Sequence, residues 1–252
     1  MYGWRGRIGF ISPSHGFMLR YEFHKMAPDG VLFVNTGGRV RRLADDDLED
    51  QLSQIEERGE DLVQLGVEAI IIGGSPLFTR LGYGSERQIS ERIEQKLGVP
   101  VVAHIEAEVQ ALRQVGIRKL VVASPFKELI YRRMESYLQE AGFDVVAIAG
   151  LGIERNVDID HLPDYAAYRL AKSLYFGAGE AVDGVLITCP RWPTIQHIDL
   201  LELETGKPVI TSSQAVTWKA LEMLKVPPSV PGFGRLLAVD AQRGLTLAPT
   251  ST

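Results

Sequence analysis

"AIIIGGSP" (residues 69–76) and "GVLITCPR" (residues 184–191) read as the same phrase twice. Each is a continuous apolar run that stops at a small residue and a proline. Strands buried on both faces must look this way, because neither side meets water. Working outward, three further pairs appear in the same order. "FISPSH" (10–15) answers "VASPFK" (122–127). "VLFVNTGG" (31–38) answers "VVAIAGLG" (145–152). "GVPVVAHIEAEVQAL" (98–112) answers "GKPVITSSQAVTWKAL" (206–221). The chain therefore reads as a duplication. Its expected class is α/β: two pseudo-symmetric halves, each a four-stranded parallel sheet flanked by helices, with a cleft between them.

The expected halves are 7–115 and 118–225, with 226–252 a C-terminal segment returning to the core. Expected strands are 8–12, 31–35, 69–73, 99–103, 119–123, 145–149, 185–188 and 208–211. Expected helices are 44–65, 85–97, 106–115, 126–142, 163–178, 195–205 and 214–225, each amphipathic or bounded by turn residues. "VPGFGRLL" (230–237) reads as a loop, either returning to the core or covering the cleft. "TLAPTST" reads as a frayed end.

Composition excludes several classes. A net charge of -5 with no basic run offers no field for nucleic acid or an anionic membrane. No apolar run is long enough to span a bilayer or to follow the charged N-terminus as a signal peptide. The single cysteine among 252 residues cannot close an internal disulfide, so a cytoplasmic protein is expected. No nucleic-acid or membrane partner is expected, and a homo-oligomer is allowed.

Ligands of open parallel sheets sit at the carboxyl ends of the strands. There the repeat superimposes Gly74 on Cys189 without a gap. Cys189 has a bland reading, a small buried apolar residue, and a chemical one, a thiol serving as acid, base or nucleophile. A following helix would expose the sulfur and lower its pKa. Gly73, Gly74 and Ser75 suit a tight strand-to-helix turn, or an anion site made of Ser75 and local amides. His15 and His104 stand at strand ends. Glu22, Glu106 and Glu108 read as helix-surface charges, and "SSQA" (212–215) as a helix cap whose serines also point into the cleft. No His or Cys spacing calls for zinc, and no cofactor fingerprint appears.

These segments resemble the aspartate/glutamate racemase superfamily, and within it the arylmalonate decarboxylase and maleate isomerase branch. The likeness rests on "RIGFISPS", "LGVEAIIIGGSPLF", "LGVPVV", "GIRKLVVASPF", "DGVLITCP" and "GKPVITSSQAVTWKAL", and covers nearly the whole chain. It implies an enzyme without cofactor or metal, acting at the carbon next to a carboxylate, with a small mono- or dicarboxylate as its substrate. The racemase and isomerase pattern has a cysteine in each half, whereas here only Cys189 remains, opposite Gly74. One thiol matches the decarboxylase pattern, in which it protonates an enediolate on one face. The resemblance places substrate contacts on Ser14, His15, Gly74, Ser75, Phe126, Pro190 and Arg191. It also implies departures: the decarboxylase has tyrosine at Phe126, serine at Pro76 and glycine at Pro190, and maleate isomerase has asparagine at His15. Arg191 is expected to compensate by pairing with a substrate carboxylate. The alternatives are a cis–trans isomerase with Cys189 as nucleophile and a dicarboxylate-binding relative without catalysis.

Overall fold

A computed structural model describes residues 2–38, 54–179, 182–228 and 230–238. Two parallel four-stranded sheets organise it. The first contains β1 (Gly6–Ser12), β2 (Val31–Gly37), β3 (Ala69–Ile72) and β4 (Val101–Ala103), in the order β2-β1-β3-β4. The second contains β5 (Lys119–Phe126), β6 (Asp144–Ile153), β7 (Gly184–Ile187) and β8 (Val209–Thr211), in the order β6-β5-β7-β8. Adding four to every label of one order gives the other, so the duplication seen in the sequence is a duplication of topology. Registers agree as well: Ile72 sits beside Ala103 as Ile187 sits beside Thr211. The inner strands form because their residues are aliphatic and buried on both faces; β3 and β7 are buried throughout, whereas the edge strands β2 and β6 are partly open to solvent.

Helices cover both faces. They are α1 (Met18–Met26), α2 (Ile55–Gln64), α3 (Ser75–Leu81), α4 (Ser85–Leu97), α5 (His104–Gln114), α6 (Glu128–Glu140), α7 (Asn156–Ile159), α8 (Asp164–Ala178), α9 (Ile198–Thr205), α10 (Ser212–Met223) and α11 (Gly234–Ala238). The sequence led to neither α1 nor α3. No side-chain cap opens α1, and Pro76 reads as a breaker although a first-turn proline is compatible with a helix. The expected helix over 44–65 is found as α2; its part before residue 54 lies outside the described residues, as does the tail from 239. β5 runs on to Phe126, which ends the strand rather than opening a helix. The segment 230–237 does not cover the cleft. It ends in α11, with Leu236 and Leu237 buried, and is tied to the second half by Asp199, Glu202 and Gln214.

α5 and α10 follow equivalent strands and pack on each other, while α3 of the first half packs on α6 of the second. One apolar cluster runs through both halves, from Ile70 and Ile72 to Val121 and Leu186. No described helix is long and apolar enough to cross a membrane.

Close approach of β5 and β6 depends on Gly150. A Cβ there would lie 2.1 Å from the Phe126 carbonyl oxygen and 2.8 Å from the Tyr131 ring. Gly150→Ala is therefore expected to cost about 1–3 kcal/mol by overpacking. Gly177→Ala, in α8 with nothing within 4 Å of its added Cβ, should stabilise by about 0.5–1 kcal/mol. Urea unfolding of the two variants checks this; equal midpoints would refute the packing argument.

Candidate active site

The turns after β3 and β7 face one cavity. Gly74 stands at φ +110 and Cys189 at φ +91. Glycine adopts that conformation freely, but for cysteine it is strained, and such strain concentrates at functional sites. The β7 turn is closed by the Trp192 N–H donating to the Cys189 carbonyl. No α-helix starts there; a short 3-10 turn follows only at Ile195. The expectation of an exposed sulfur with a helix-lowered pKa is thus corrected. Cys189 is 3% exposed. Burial pushes its thiol up to about 12, against a smaller lowering by the Arg191 N–H. The thiol is protonated. It is nevertheless part of the cavity wall, together with Gly73, Gly74, Ser75, Phe126 and Pro190.

Several expected residues are placed differently. The exposed His15 lies outside this cavity, beside a separate hollow with Thr36 and Gly37. Its carbonyl, not its ring, is engaged, accepting from Arg191 Nη1 at 2.8 Å. Ser14 is buried behind Arg191 and accepts from the same Nη1 at 2.7 Å. Arg191 does line the cavity, but its Nη2 is paired with Asp160. The guanidinium is neutralised and its Nη1 and Nη2 are occupied, so it is not the free carboxylate clamp that was expected. The Cys189 N–H is likewise taken, by Ser212 Oγ at 2.7 Å. Phe126, whose N–H is taken by Ser124 Oγ at 3.2 Å, and the prolines, which have none, contribute apolar wall without a free donor.

Two residues of α5 supply what the sequence reading missed. His104 is buried, and its Nε2 lies 2.8 Å from Ser75 Oγ. Burial lowers its pKa to about 3, so it is neutral. Its Nδ1 has no hydrogen-bond partner among the described residues. A buried N–H without an acceptor is costlier than a lone pair without a donor, so the ring proton belongs on Nε2 and is donated to Ser75. The Ser75 hydroxyl then has its own proton to offer the cavity. Glu108, one turn on, is fully buried rather than a surface charge. Its Oε1 accepts from Thr188 Oγ1 at 3.2 Å and from Ser212 Oγ, and stands 3.8 Å from His104 Nε2. Desolvation outweighs those hydrogen bonds and raises its pKa to about 7. Because Nδ1, not Nε2, is the nitrogen facing away from Ser75, Ser75, His104 and Glu108 do not form a nucleophile–base–carboxylate relay. A signal for Glu108 was present: it falls on the apolar face made by Ile105, Val109 and Leu112. Glu22 is also buried, and accepts from the Thr194 and Ile195 N–H groups. Glu106 is half-buried.

Two duplicated parallel-sheet halves, with one thiol at the cavity they share, define an α/β enzyme of the Asp/Glu racemase superfamily. The family model described as arylmalonate decarboxylase matches residues 8–237. The chain belongs to that family. It is 25% identical over 248 residues to a maleate isomerase of Pseudomonas putida, covering 92% of this chain and 97% of that protein. To an arylmalonate decarboxylase of Bordetella bronchiseptica it is 23% identical over 235 residues, covering 91% and 95%. The fold matches a Nocardia farcinica maleate cis-trans isomerase variant holding a covalently bound succinylcysteine intermediate. There the TM-score is 0.87 at 22% identity, covering 93% of this chain and 99% of that one.

Glu108 makes folding stability depend on pH. Its folded pKa, about 7, exceeds the ordinary 4.5, so between those values the native state holds a proton that the unfolded state has lost. Its contribution is complete at the acid end, falls as pH rises through that window, and levels off above it, a change on the order of 3 kcal/mol. Glu108→Gln has no such proton. The stability of parent minus variant should decline from pH 4.5 to 7.5 in chemical denaturation, and parallel curves would sink the assignment.

Proposed function

We propose that the chain is a decarboxylase of substituted malonates in which Cys189 is the sole proton donor. The observation that carries this reading is a single buried thiol sharing the cavity with a glycine at the equivalent turn. A nucleophile must be a thiolate. An acid must be protonated, and burial keeps Cys189 in that state at neutral pH. Removing a proton on one face and returning it on the other needs two groups, whereas Gly74 has no side chain.

In this reading the retained carboxylate is held by the Ser75 hydroxyl, oriented by His104. The bond to the other carboxylate breaks, CO2 leaves, and its electron pair becomes an enediolate. The Cys189 S–H gives its proton to the carbon, and the thiolate, steadied by the Arg191 N–H, takes a proton from water. Asn156 Nδ2, on the cavity wall and only 3.4 Å from Ser14 Oγ, is a further donor. With Phe126, Pro76 and Pro190 offering none, the enzyme is expected to be slow, since one absent oxyanion donor costs about 100- to 1000-fold.

A second reading is isomerisation of a cis-dicarboxylate through an adduct on Cys189. The Pseudomonas putida relative named maleate isomerase favours it. The two readings separate experimentally. Release of CO2 from aryl- or alkylmalonates is expected, with Cys189→Ala lowering kcat by about 100- to 10,000-fold. In deuterated water, one configuration of singly labelled product should form. Unaltered release by Cys189→Ala would remove the proposal. An adduct of maleate on Cys189 in intact-mass spectra would transfer it to isomerisation, and binding of dicarboxylates with neither event would leave a binding protein.

A further inference from the structure

We infer that the cavity carries a second anion subsite, formed by Arg20 and Asn35, and that its substrate bears a distal carboxylate beyond the group held at Ser75. The inference rests on the reading of the cavity as a carboxylate site and extends it by naming the substrate class.

Charge around the cavity is uneven. His104 is neutral, and Arg191 is cancelled by Asp160. Arg20 also lines the cavity, yet among the described residues it pairs with no carboxylate; its Nη2 donates to Asn35 Oδ1. Cations bordering a cavity are ordinarily balanced by an acid, and here the balancing anion is left to the ligand. The Asn35 amide N–H groups remain available beside the guanidinium fork. Together they offer the planar set of donors that suits a carboxylate.

Position supports the same conclusion. Arg20 is in the first turn of α1, and α1 is fixed from both sides. Phe23 and Met26 are buried in the first half, and Glu22 is bound to the Thr194 and Ile195 N–H groups of the second. The His24 ring also bonds the Arg20 carbonyl at 2.7 Å. Asn35 is on β2, beside Phe10 of β1. Ser75 follows β3, on the far side of β1. The two sites are thus two strand spacings apart, roughly 10 Å between backbones, less the reach of the side chains. Between them Phe10 and Phe33 stack at 5.6 Å and line the cavity as an apolar floor. Hydroxyl donor, apolar floor, then cation is the complement of a short carbon chain with an acid at each end. Arg20 is not suited to hold the carboxylate that leaves as CO2, because a guanidinium would stabilise that group before reaction. The distal acid belongs to the substituent.

The test is binding, measured by calorimetry on Cys189→Ala so that no turnover is required. Succinate and its monoamide serve as probes. Succinate is expected to bind at least tenfold more tightly than the monoamide. In Cys189→Ala/Arg20→Gln that ratio should fall to near one, and Arg20→Lys should keep part of it. The ratio should also shrink with added salt. An unchanged ratio in the Arg20→Gln background, or no binding of succinate by the Cys189→Ala protein, would overturn the subsite. Failure of CO2 release by the parent would count against decarboxylation alone and leave this result standing.

Discussion

The geometry of the site depends on one buried carboxylate. Glu108 projects from α5 of the first half, but both hydroxyls it accepts from, Thr188 and Ser212, belong to the second. Ser212 in turn accepts the Cys189 N–H. The thiol is thereby held at its strained turn through a side chain from the opposite half. Inside an apolar core, losing that acceptor would leave two buried hydroxyls unsatisfied, which typically costs more than the hydrogen bonds contribute. Glu22 to Thr194 and Ile195, and Arg191 to Ser14 and the His15 carbonyl, make two more ties between the halves. Arg191 itself lines the cavity, and the Glu108 tie reaches its wall through the Ser212 bond to Cys189. The apolar cluster joins the halves without specifying their placement finely, and these directional contacts do the specifying.

Backbone plan was legible in the sequence, and side-chain direction was not. β3 and β7 could be recognised because a strand buried on both faces has no polar positions, so its pattern is unambiguous. Aligning their ends placed Gly74 on Cys189, and both turn out to have positive φ. α1 and α3 escaped notice because short helices lacking caps leave little periodic signal. At the site, Cys189, Gly74, Ser75, Phe126, Pro190 and Arg191 do meet at the cavity. What went unread was which way groups point after a strand ends. His15 turns outward and Ser14 turns behind Arg191. His104 and Glu108 looked like polar helix surface, and only the packing of α5 on α10 shows that their face has no solvent.

The two halves keep one backbone and divide the chemistry. His104 and Ser212 open equivalent helices, α5 and α10. One bonds the residue after Gly74, the other bonds Cys189 itself. On the first side this leaves a hydroxyl proton to face the cavity. On the second it fixes the turn that carries the thiol. Duplication therefore supplies two strand-end turns facing each other, and substitution makes them chemically different: in the proposed reaction one holds charge and the other gives a proton.

That division explains why burial of the thiol favours acid chemistry. An exposed Cys189 beside a cation would ionise near neutral pH and lose the proton that an enediolate needs. Here desolvation keeps it a thiol, while the neutral His104 and the neutralised Arg191 leave no strong field across the reacting end. Negative charge is then brought by the substrate alone, into walls made of Phe10, Phe33, Phe126 and three prolines, Pro13, Pro76 and Pro190. In the proposed reaction the departing carboxylate loses its charge on becoming CO2, so the same apolar wall that protects the proton also favours that departure.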